Sequence, residues 1–235
     1  MINLFVIITY LRSLIVGGSE LSPLDKYILV RDLTFFVVDF YTGDRAFDLG
    51  RLQVDQVFRL KDREGFLLNF TFGKTIRAGL SPPFALWCIP NVHVCPVLWL
   101  NYYIAACKAL GVPLLGKYLF TSSVHKKAVS HCPLGGLAVS ARLHKYLKAA
   151  AIDDKETPHS FHVGLSYTLK GLGSTRQIAQ YVGWQSTEMA LHYMHRSGAS
   201  VSLDLLERIT LGLASVSSKT SPSLADQRNL QKISC

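Results

Sequence analysis

Apolar positions with helical spacing are followed by a strand-like region in the first half of the chain. Ser22-Pro23 opens a stretch, LDKYILVRDLTFFVVDFYTGDR, that predicts a capped helix ending near Thr42-Gly43. A short helical piece is then predicted in RAFDLGRL. Three antiparallel strands are predicted next, in VDQVFRL, FLLNFTF and FALWCI, with the polar turns KDREG and GKTIRAG between them.

The second half of the chain has mainly helical spacing. One helix is predicted in VLWLNYYIAACKALG, ending at Gly111, and an amphipathic basic helix is predicted in AVSARLHKYLKAAA. Three short helices, separated by glycine-containing turns, are predicted at 160–172, 175–182 and 187–193. The pattern therefore predicts a mainly α (α+β) domain, in which a helical bundle carries a small three-stranded antiparallel sheet.

The first sixteen residues, MINLFVIITYLRSLIV, are the strongest membrane candidate in the sequence. Arg12 interrupts them, and they are shorter than the roughly 20 residues that a membrane-spanning helix needs. A basic segment does not precede them and no clean cleavage pattern follows, so an amphipathic or core helix is favoured over a signal peptide. The predicted organisation is an apolar N-terminal remnant at 1–21, one domain at 22–211 and a Ser-rich flexible tail at 212–235.

Composition predicts a folded core and favours an anionic partner. Hydrophobic residues make up 49% of the chain, which excludes an intrinsically disordered protein. The formal net charge of +9 favours nucleic acid or an anionic membrane surface, although a solvated basic face without a partner gives the same charge. The five cysteines are odd in number and irregularly spaced, which favours free thiols in a reducing, intracellular compartment. They form no CxxC pair, and no metal site is predicted.

Four residues in the last third of the chain have a spacing that indicates a candidate catalytic site. His159 falls in the first turn of a predicted helix, and His162 follows three residues later. Trp184 follows a glycine at the start of a loop, and Tyr193 comes ten residues after that glycine. Each of these residues alone is more often structural than functional, because helical histidines and packed tyrosines are common in protein cores.

Three residues in the first half complete the set. Arg45 lies where one predicted helix ends and the next begins, and Asp48 follows one turn later. Lys74 lies in a turn between two predicted strands, from which a lysine side chain can project into a groove. A lysine in such a turn is usually only solvated, so its significance depends on the combination with the residues downstream.

Together and in this order, these residues resemble the catalytic domain of the tyrosine recombinases, the superfamily of Cre and the phage integrases. That family has an arginine at a helix junction with an acidic residue three positions on, followed by a hairpin lysine. His-x-x-Arg comes next, then Gly-His or Gly-Trp, and then a tyrosine ten residues after that glycine. The resemblance covers about residues 24–210. The stretch GDRAFDLGRL followed by FGKT further resembles recombinases of eukaryotic mobile elements, which implies a nuclear location.

The resemblance implies DNA strand exchange, in which a tyrosine attacks phosphorus and holds the DNA as a 3′-phosphotyrosine. No metal or nucleotide cofactor is implied, because the energy of the broken bond is conserved in that linkage. Double-stranded DNA is the implied partner, and the family acts on it as a synaptic tetramer. The resemblance implies that Tyr193 is the nucleophile, that Arg45 binds the phosphate and that Asp48 orients Arg45. It implies that Lys74 donates a proton to the departing 5′ oxygen and that His159 transfers a proton or binds the phosphate. Trp184 is the implied indole N–H donor.

The sequence departs from the family pattern in two places. His162 occupies the position of the second arginine of the family. A neutral imidazole offers one donor and is mostly uncharged at pH 7, whereas a guanidinium is planar, bidentate and permanently charged. We therefore expect DNA cleavage to be severely impaired. The N-terminal helical DNA-binding domain usual in the family is also missing, so a truncated recombinase is expected.

Three hypotheses follow from the sequence. The leading one is a recombinase or integrase-like domain that binds DNA and has impaired cleavage. The second keeps the fold without the chemistry, as a catalytically inactive DNA-binding or protein-interaction module. The third, from another class, is a membrane-associated basic protein that uses residues 1–16, and sedimentation with anionic liposomes distinguishes it from the other two.

Overall fold

The described part of the chain has six α-helices, one short 3-10 helix (Val54–Gln56) and six β-strands in the computed structural model. The described residues are 4–18, 20–43, 45–60, 64–71, 83–112, 114, 117–124, 128–152, 155–170, 174–176, 179 and 230–232. The helices are α1 (Leu4–Gly17), α2 (Pro23–Thr42), α3 (Ala46–Leu49), α4 (Pro96–Ala109), α5 (Gly136–Ala149) and α6 (His159–Leu169). The strands are β1 (Val57–Leu60), β2 (Gly65–Leu68), β3 (Phe84–Trp87), β4 (Thr121–Val124), β5 (Ala128–Pro133) and β6 (Leu230–Lys232).

Helix α2 forms the centre of the domain, and local sequence sets both of its ends. The Ser22 hydroxyl accepts a hydrogen bond from the N–H of Asp25 at 3.1 Å and caps the first turn, while Pro23 fills the first helical position. Gly43 ends the helix in the left-handed conformation, at φ 59° and ψ 20°. Every residue from Arg31 to Thr42 is buried, because α2 packs against α1, α4 and α6. The predicted bounds of this helix are confirmed.

The predicted three-stranded antiparallel sheet is present, and a fourth strand extends it. Strand β2 pairs with β1 on one side and β3 on the other, and it is buried at all four positions. Strand β6 pairs with the free edge of β1, which gives the order β3-β2-β1-β6. Three residues of the predicted Ser-rich tail therefore lie in the sheet, and the other residues of that segment lie outside the described ranges.

A second, two-stranded sheet is formed by the hairpin of β4 and β5, which the sequence pattern does not predict. Its strands, TSSV and AVSHCP, are short and polar, so they lack the apolar alternation that identifies a strand. Polar contacts join the hairpin to α2. The Thr121 hydroxyl lies 2.9 Å from the Tyr27 hydroxyl, and Arg31 Nη1 donates to the Thr121 carbonyl at 2.8 Å.

A buried ion network joins α2 to α5. Asp32 Oδ1 accepts hydrogen bonds from Arg31 Nε at 2.9 Å and Nη2 at 2.7 Å. Asp32 Oδ2 accepts from Arg142 Nε and, at 2.6 Å, from the Tyr146 hydroxyl. Burial and the neighbouring Asp32 carboxylate raise the pKa of Tyr146, so its hydroxyl stays protonated and donates. One carboxylate thus binds two guanidinium groups and one phenol hydroxyl.

Helix α1 contributes one apolar face to the hydrophobic core. Its buried residues are Leu4, Ile7, Ile8 and Leu11, whose spacing places them on one side of the helix, and α1 packs against α2. Among the residues that the structure describes, no helix combines the length and apolar character needed to span a bilayer. The division of the chain at 21 and 211 stays a prediction.

The cysteines within the described ranges, Cys88, Cys95, Cys107 and Cys132, are free thiols. Cys95 precedes α4, where its sulfur accepts from the N–H of Leu98 at 3.5 Å and lies 3.7 Å from the sulfur of Cys88. Burial and the neighbouring Cys95 raise the pKa of Cys88 to about 12, so this thiol stays protonated at neutral pH. Within the same ranges no three His, Cys, Asp or Glu side chains are arranged to hold a metal ion.

Candidate active site

The junction between α2 and α3 presents Arg45. Gly43 donates its N–H to the Asp39 carbonyl at 3.0 Å, which closes the last turn of α2. Arg45 follows in an extended conformation, with φ −85° and ψ 138°, and is the N-terminal cap residue of α3. Its side chain is exposed, whereas Asp48 is buried within α3 and donates its backbone N–H to the Arg45 carbonyl at 2.8 Å. The α2–α3 junction therefore presents the Arg45 guanidinium at the protein surface, on a backbone that is held by hydrogen bonds.

Helix α6 carries both histidines of the predicted site. His159 is its first helical residue, as the sequence predicts, and its side chain is exposed. Phe161 and Leu165, four residues apart, are buried on the inner face. The Phe161 ring packs on Phe36 of α2 with centroids 5.3 Å apart and planes at 30°. This contact fixes the start of α6 against the second half of α2.

His162 reaches the end of α2 and forms a hydrogen bond there. Its Nδ1 is bonded to the carbonyl oxygen of Gly43. A carbonyl can only accept, so Nδ1 carries the proton, and in the neutral ring Nε2 then carries a lone pair. The His162 ring also stacks on the His159 ring, with centroids 5.4 Å apart and planes at 17°. The two histidines and the junction that carries Arg45 thus meet at one place.

The surroundings of His162 keep its imidazole neutral. Burial is the largest cause and lowers the pKa of His162 to about 4, although the bond to Gly43 acts in the opposite direction. The positive charges of His159 and Arg45 lower the pKa of His162 further. At pH 7 the His162 ring is therefore neutral.

This low pKa predicts a loss of stability in acid. Between pH 6.5 and 4 the unfolded chain protonates this histidine and the folded chain does not, so the free energy of unfolding falls as the pH falls. The contribution is complete above pH 6.5, and about 2–3 kcal/mol of it is lost by pH 4. Urea unfolding at pH 7 and pH 4.5 measures it, with His162→Asn as the variant that cannot titrate. An equal pH dependence in both proteins contradicts this assignment.

Three predicted site residues, Lys74, Trp184 and Tyr193, lie outside the described residues. Arg142, which lies in the same half of the chain as His162, is bound to Asp32 in the ion network and donates Nη2 to Tyr146 at 2.7 Å. Arg142 therefore belongs to the buried ion network that joins α2 to α5.

Sequence reasoning missed one group of the site, the Gly43 carbonyl that binds His162. The Thr-Gly pair predicts the end of α2. It gives no sign of a partner 119 residues away along the chain.

Comparison with solved structures identifies the fold. The chain superposes over 90% of its length on XerH site-specific recombinase bound to palindromic difH substrate in a post-cleavage complex, with a TM-score of 0.56 and 13% identity. XerA recombinase matches over 90% of this chain with a TM-score of 0.54 and 19% identity. A lambda integrase dimer bound to a COC′ core site matches over 82%, with a TM-score of 0.50 and 16% identity. No protein-family model and no curated protein matches the sequence.

These matches establish the fold of the tyrosine recombinases and integrases, as the resemblance of the motifs predicts. The mainly helical architecture with a small antiparallel sheet is the predicted fold class, and it is confirmed. The chain spans 52%, 62% and 61% of the lengths of the XerH, XerA and lambda integrase chains, respectively.

Proposed function

We propose that this chain is a DNA-binding, recombinase-type catalytic domain whose strand cleavage is impaired by His162. The observation that supports this most is the meeting of three predicted site residues. His162 on α6 binds the Gly43 carbonyl and stacks on His159, and Arg45 follows two residues after Gly43 on the α2–α3 junction. The likeness to XerH and lambda integrase, both solved with DNA, supports duplex DNA as the partner. A mobile-element origin and a nuclear location belong to the same proposal.

The proposed reaction is transfer of a phosphodiester to a tyrosine. The hydroxyl of Tyr193 attacks phosphorus and releases its proton to His159 or to water, an O–P bond forms, and the bond from phosphorus to the 5′ oxygen breaks. Lys74 supplies the proton that the departing oxygen takes up, and Trp184 donates its indole N–H to a phosphate oxygen. Arg45 binds the non-bridging oxygens, on which the transition state accumulates negative charge. His159, exposed at the start of α6, donates to the phosphate or relays a proton.

Impairment follows from the protonation state of His162. Its one N–H is donated to Gly43, and its remaining nitrogen is an acceptor, which cannot bind a phosphate oxygen. A low pKa keeps the ring in this state at neutral pH. The same chemistry favours the second candidate function, a DNA-binding module without cleavage. Covalent adduct formation on a nicked suicide duplex separates the two, because only an active domain forms adducts that Tyr193→Phe abolishes.

Arg45→Ala is expected to weaken duplex binding about tenfold and to reduce the slope of log Kd against log salt by about 1, because one phosphate contact is lost. Lys26→Ala is the matched control, since Lys26 is an exposed cation near the other end of α2, roughly 24 Å along the helix axis. Fluorescence anisotropy of a labelled duplex, titrated at several salt concentrations, measures both. Equal losses for the two variants, or no binding by the unaltered protein, contradict the proposal.

Self-association on DNA is a further part of the proposal, supported by the lambda integrase dimer on its core site. Sedimentation of the protein with and without a duplex tests it. We expect more than one copy per duplex when the DNA is present, and a strict one-to-one complex at saturating protein contradicts this part alone.

A further inference from the structure

We propose that His162 is a positioning residue, which holds the Gly43 carbonyl and thereby fixes the backbone that presents Arg45. This inference rests on the proposed function, since Arg45 is there the phosphate-binding side chain. It assigns to the histidine a role different from that of the arginine it replaces. The arginine position of the pattern is filled by a residue that contacts protein backbone instead of DNA.

The α2–α3 junction depends on Gly43. Its left-handed conformation, with φ 59°, is one that side-chain-bearing residues rarely adopt, and the chain changes direction there between two helices. The N–H of Gly43 is bound to Asp39 within α2, and its carbonyl is bound to His162 of α6. Both polar backbone groups of this residue are therefore held, one by each helix. Because Arg45 lies two residues farther along the chain, the orientation of the Gly43 peptide determines the position of the Arg45 backbone and therefore of its guanidinium.

The packing of α6 on α2 holds His162 in place for its hydrogen bond to Gly43. The Phe161 ring, next to His162, is buried against Phe36 of α2, so the histidine backbone is fixed relative to the helix whose end it contacts. The His162 carbonyl accepts from the Ser166 hydroxyl at 2.8 Å, and the ring is covered on one side by His159. The bond to Gly43 and the stack on His159 hold the His162 ring in one orientation, so the ring links α6 to the end of α2.

The tautomer of His162 tests the link directly in the unaltered protein. Nitrogen-15 NMR of the full chain with labelled histidine distinguishes a protonated from an unprotonated ring nitrogen, and comparison with His162→Asn assigns the signals. We expect Nδ1 to carry the proton of the neutral ring at pH 7. A proton on Nε2 overturns the proposal, because Nδ1 then has no hydrogen to give to Gly43.

A double-mutant cycle with Arg45 tests the consequence for the site. His162→Asn keeps an N–H at the position of Nδ1, whereas His162→Leu has a similar branched shape and no donor. In the asparagine variant, Arg45→Ala is expected to weaken duplex binding about tenfold, as in the unaltered protein. In the leucine variant, Arg45→Ala is expected to weaken duplex binding by less than about threefold, because Arg45 is already misplaced.

The outcomes separate the two levels of the proposal. A full tenfold Arg45 effect in the leucine variant, or a lost effect in the asparagine variant, overturns the positioning role and leaves DNA binding intact. An unaltered protein that binds no duplex overturns the proposed function, while the tautomer still decides whether the link to Gly43 exists. Where the leucine variant does not fold, the tautomer and the asparagine variant carry the test.

Discussion

His162→Arg is expected to raise the rate of covalent adduct formation on a nicked suicide duplex by about 10²–10³. A guanidinium has five N–H donors, so it can keep one on the Gly43 carbonyl and direct others to a phosphate oxygen. Restoring one oriented donor to the transition state lowers the barrier by about 2.7–4 kcal/mol. The permanent charge adds to this, since the imidazole is neutral in its surroundings.

The measurement is a single-turnover time course on denaturing gels, which resolve covalent protein–DNA adducts from free DNA. His162→Asn is the control, because it keeps an N–H at the position of Nδ1 without supplying charge and is expected to stay as slow as the unaltered protein. An arginine variant that reacts no faster than the asparagine variant contradicts the assignment of His162 to the arginine position.

Asp32→Asn is expected to lower the free energy of unfolding by about 3–5 kcal/mol, the typical cost of breaking a buried ion pair. Asp32 is 2% exposed and its partner Arg31 is 1% exposed, so the guanidinium loses its counter-charge where water cannot replace it. Asparagine keeps only one acceptor oxygen, so either the bonds from Arg31 or those from Arg142 and the Tyr146 hydroxyl are also lost. Such a loss is a large fraction of the 5–15 kcal/mol that typically stabilises a domain.

Urea unfolding followed by circular dichroism at pH 7 measures this loss. Asp55→Asn is the matched control, since Asp55 is exposed in the 3-10 helix and its replacement is expected to cost no more than about 0.5 kcal/mol. Similar free energies of unfolding for the two variants contradict the view that the Asp32 network holds α5 on α2.

The parts of the fold that local signals determine were predictable from the sequence. The ends of α2 follow from a serine cap and a left-handed glycine, each of which acts within one turn of the chain. The meander of β1, β2 and β3 follows from apolar stretches separated by polar turns. The hairpin of β4 and β5 was not predictable, because its strands are stabilised by Thr121 and its contacts with α2 and have no apolar periodicity. Strand β6 is fixed by pairing with a distant edge.

The candidate site likewise has parts that the sequence predicts and parts that it does not. Motif spacing brings Arg45, His159 and His162 into one hypothesis, and their roles stay a prediction. In the structure the His162 ring stacks on His159 and binds the Gly43 carbonyl, two residues before Arg45. The bond from His162 to Gly43 and the binding of Arg142 by Asp32 could not be predicted. Each joins residues more than a hundred positions apart, and each depends on how α5 and α6 pack on α2. Sequence thus indicates which residues to consider, and packing decides which atoms they bind.

Mapping of the covalent adduct tests the central claim, a tyrosine-recombinase site with a defective arginine position, most directly. The His162→Arg protein is incubated with a nicked suicide duplex and digested, and the peptide that carries the nucleotide is identified by mass spectrometry. We predict the 3′-phosphate on Tyr193, and no adduct when Tyr193→Phe is combined with His162→Arg. An adduct on another residue, or one that persists without the Tyr193 hydroxyl, contradicts the claim.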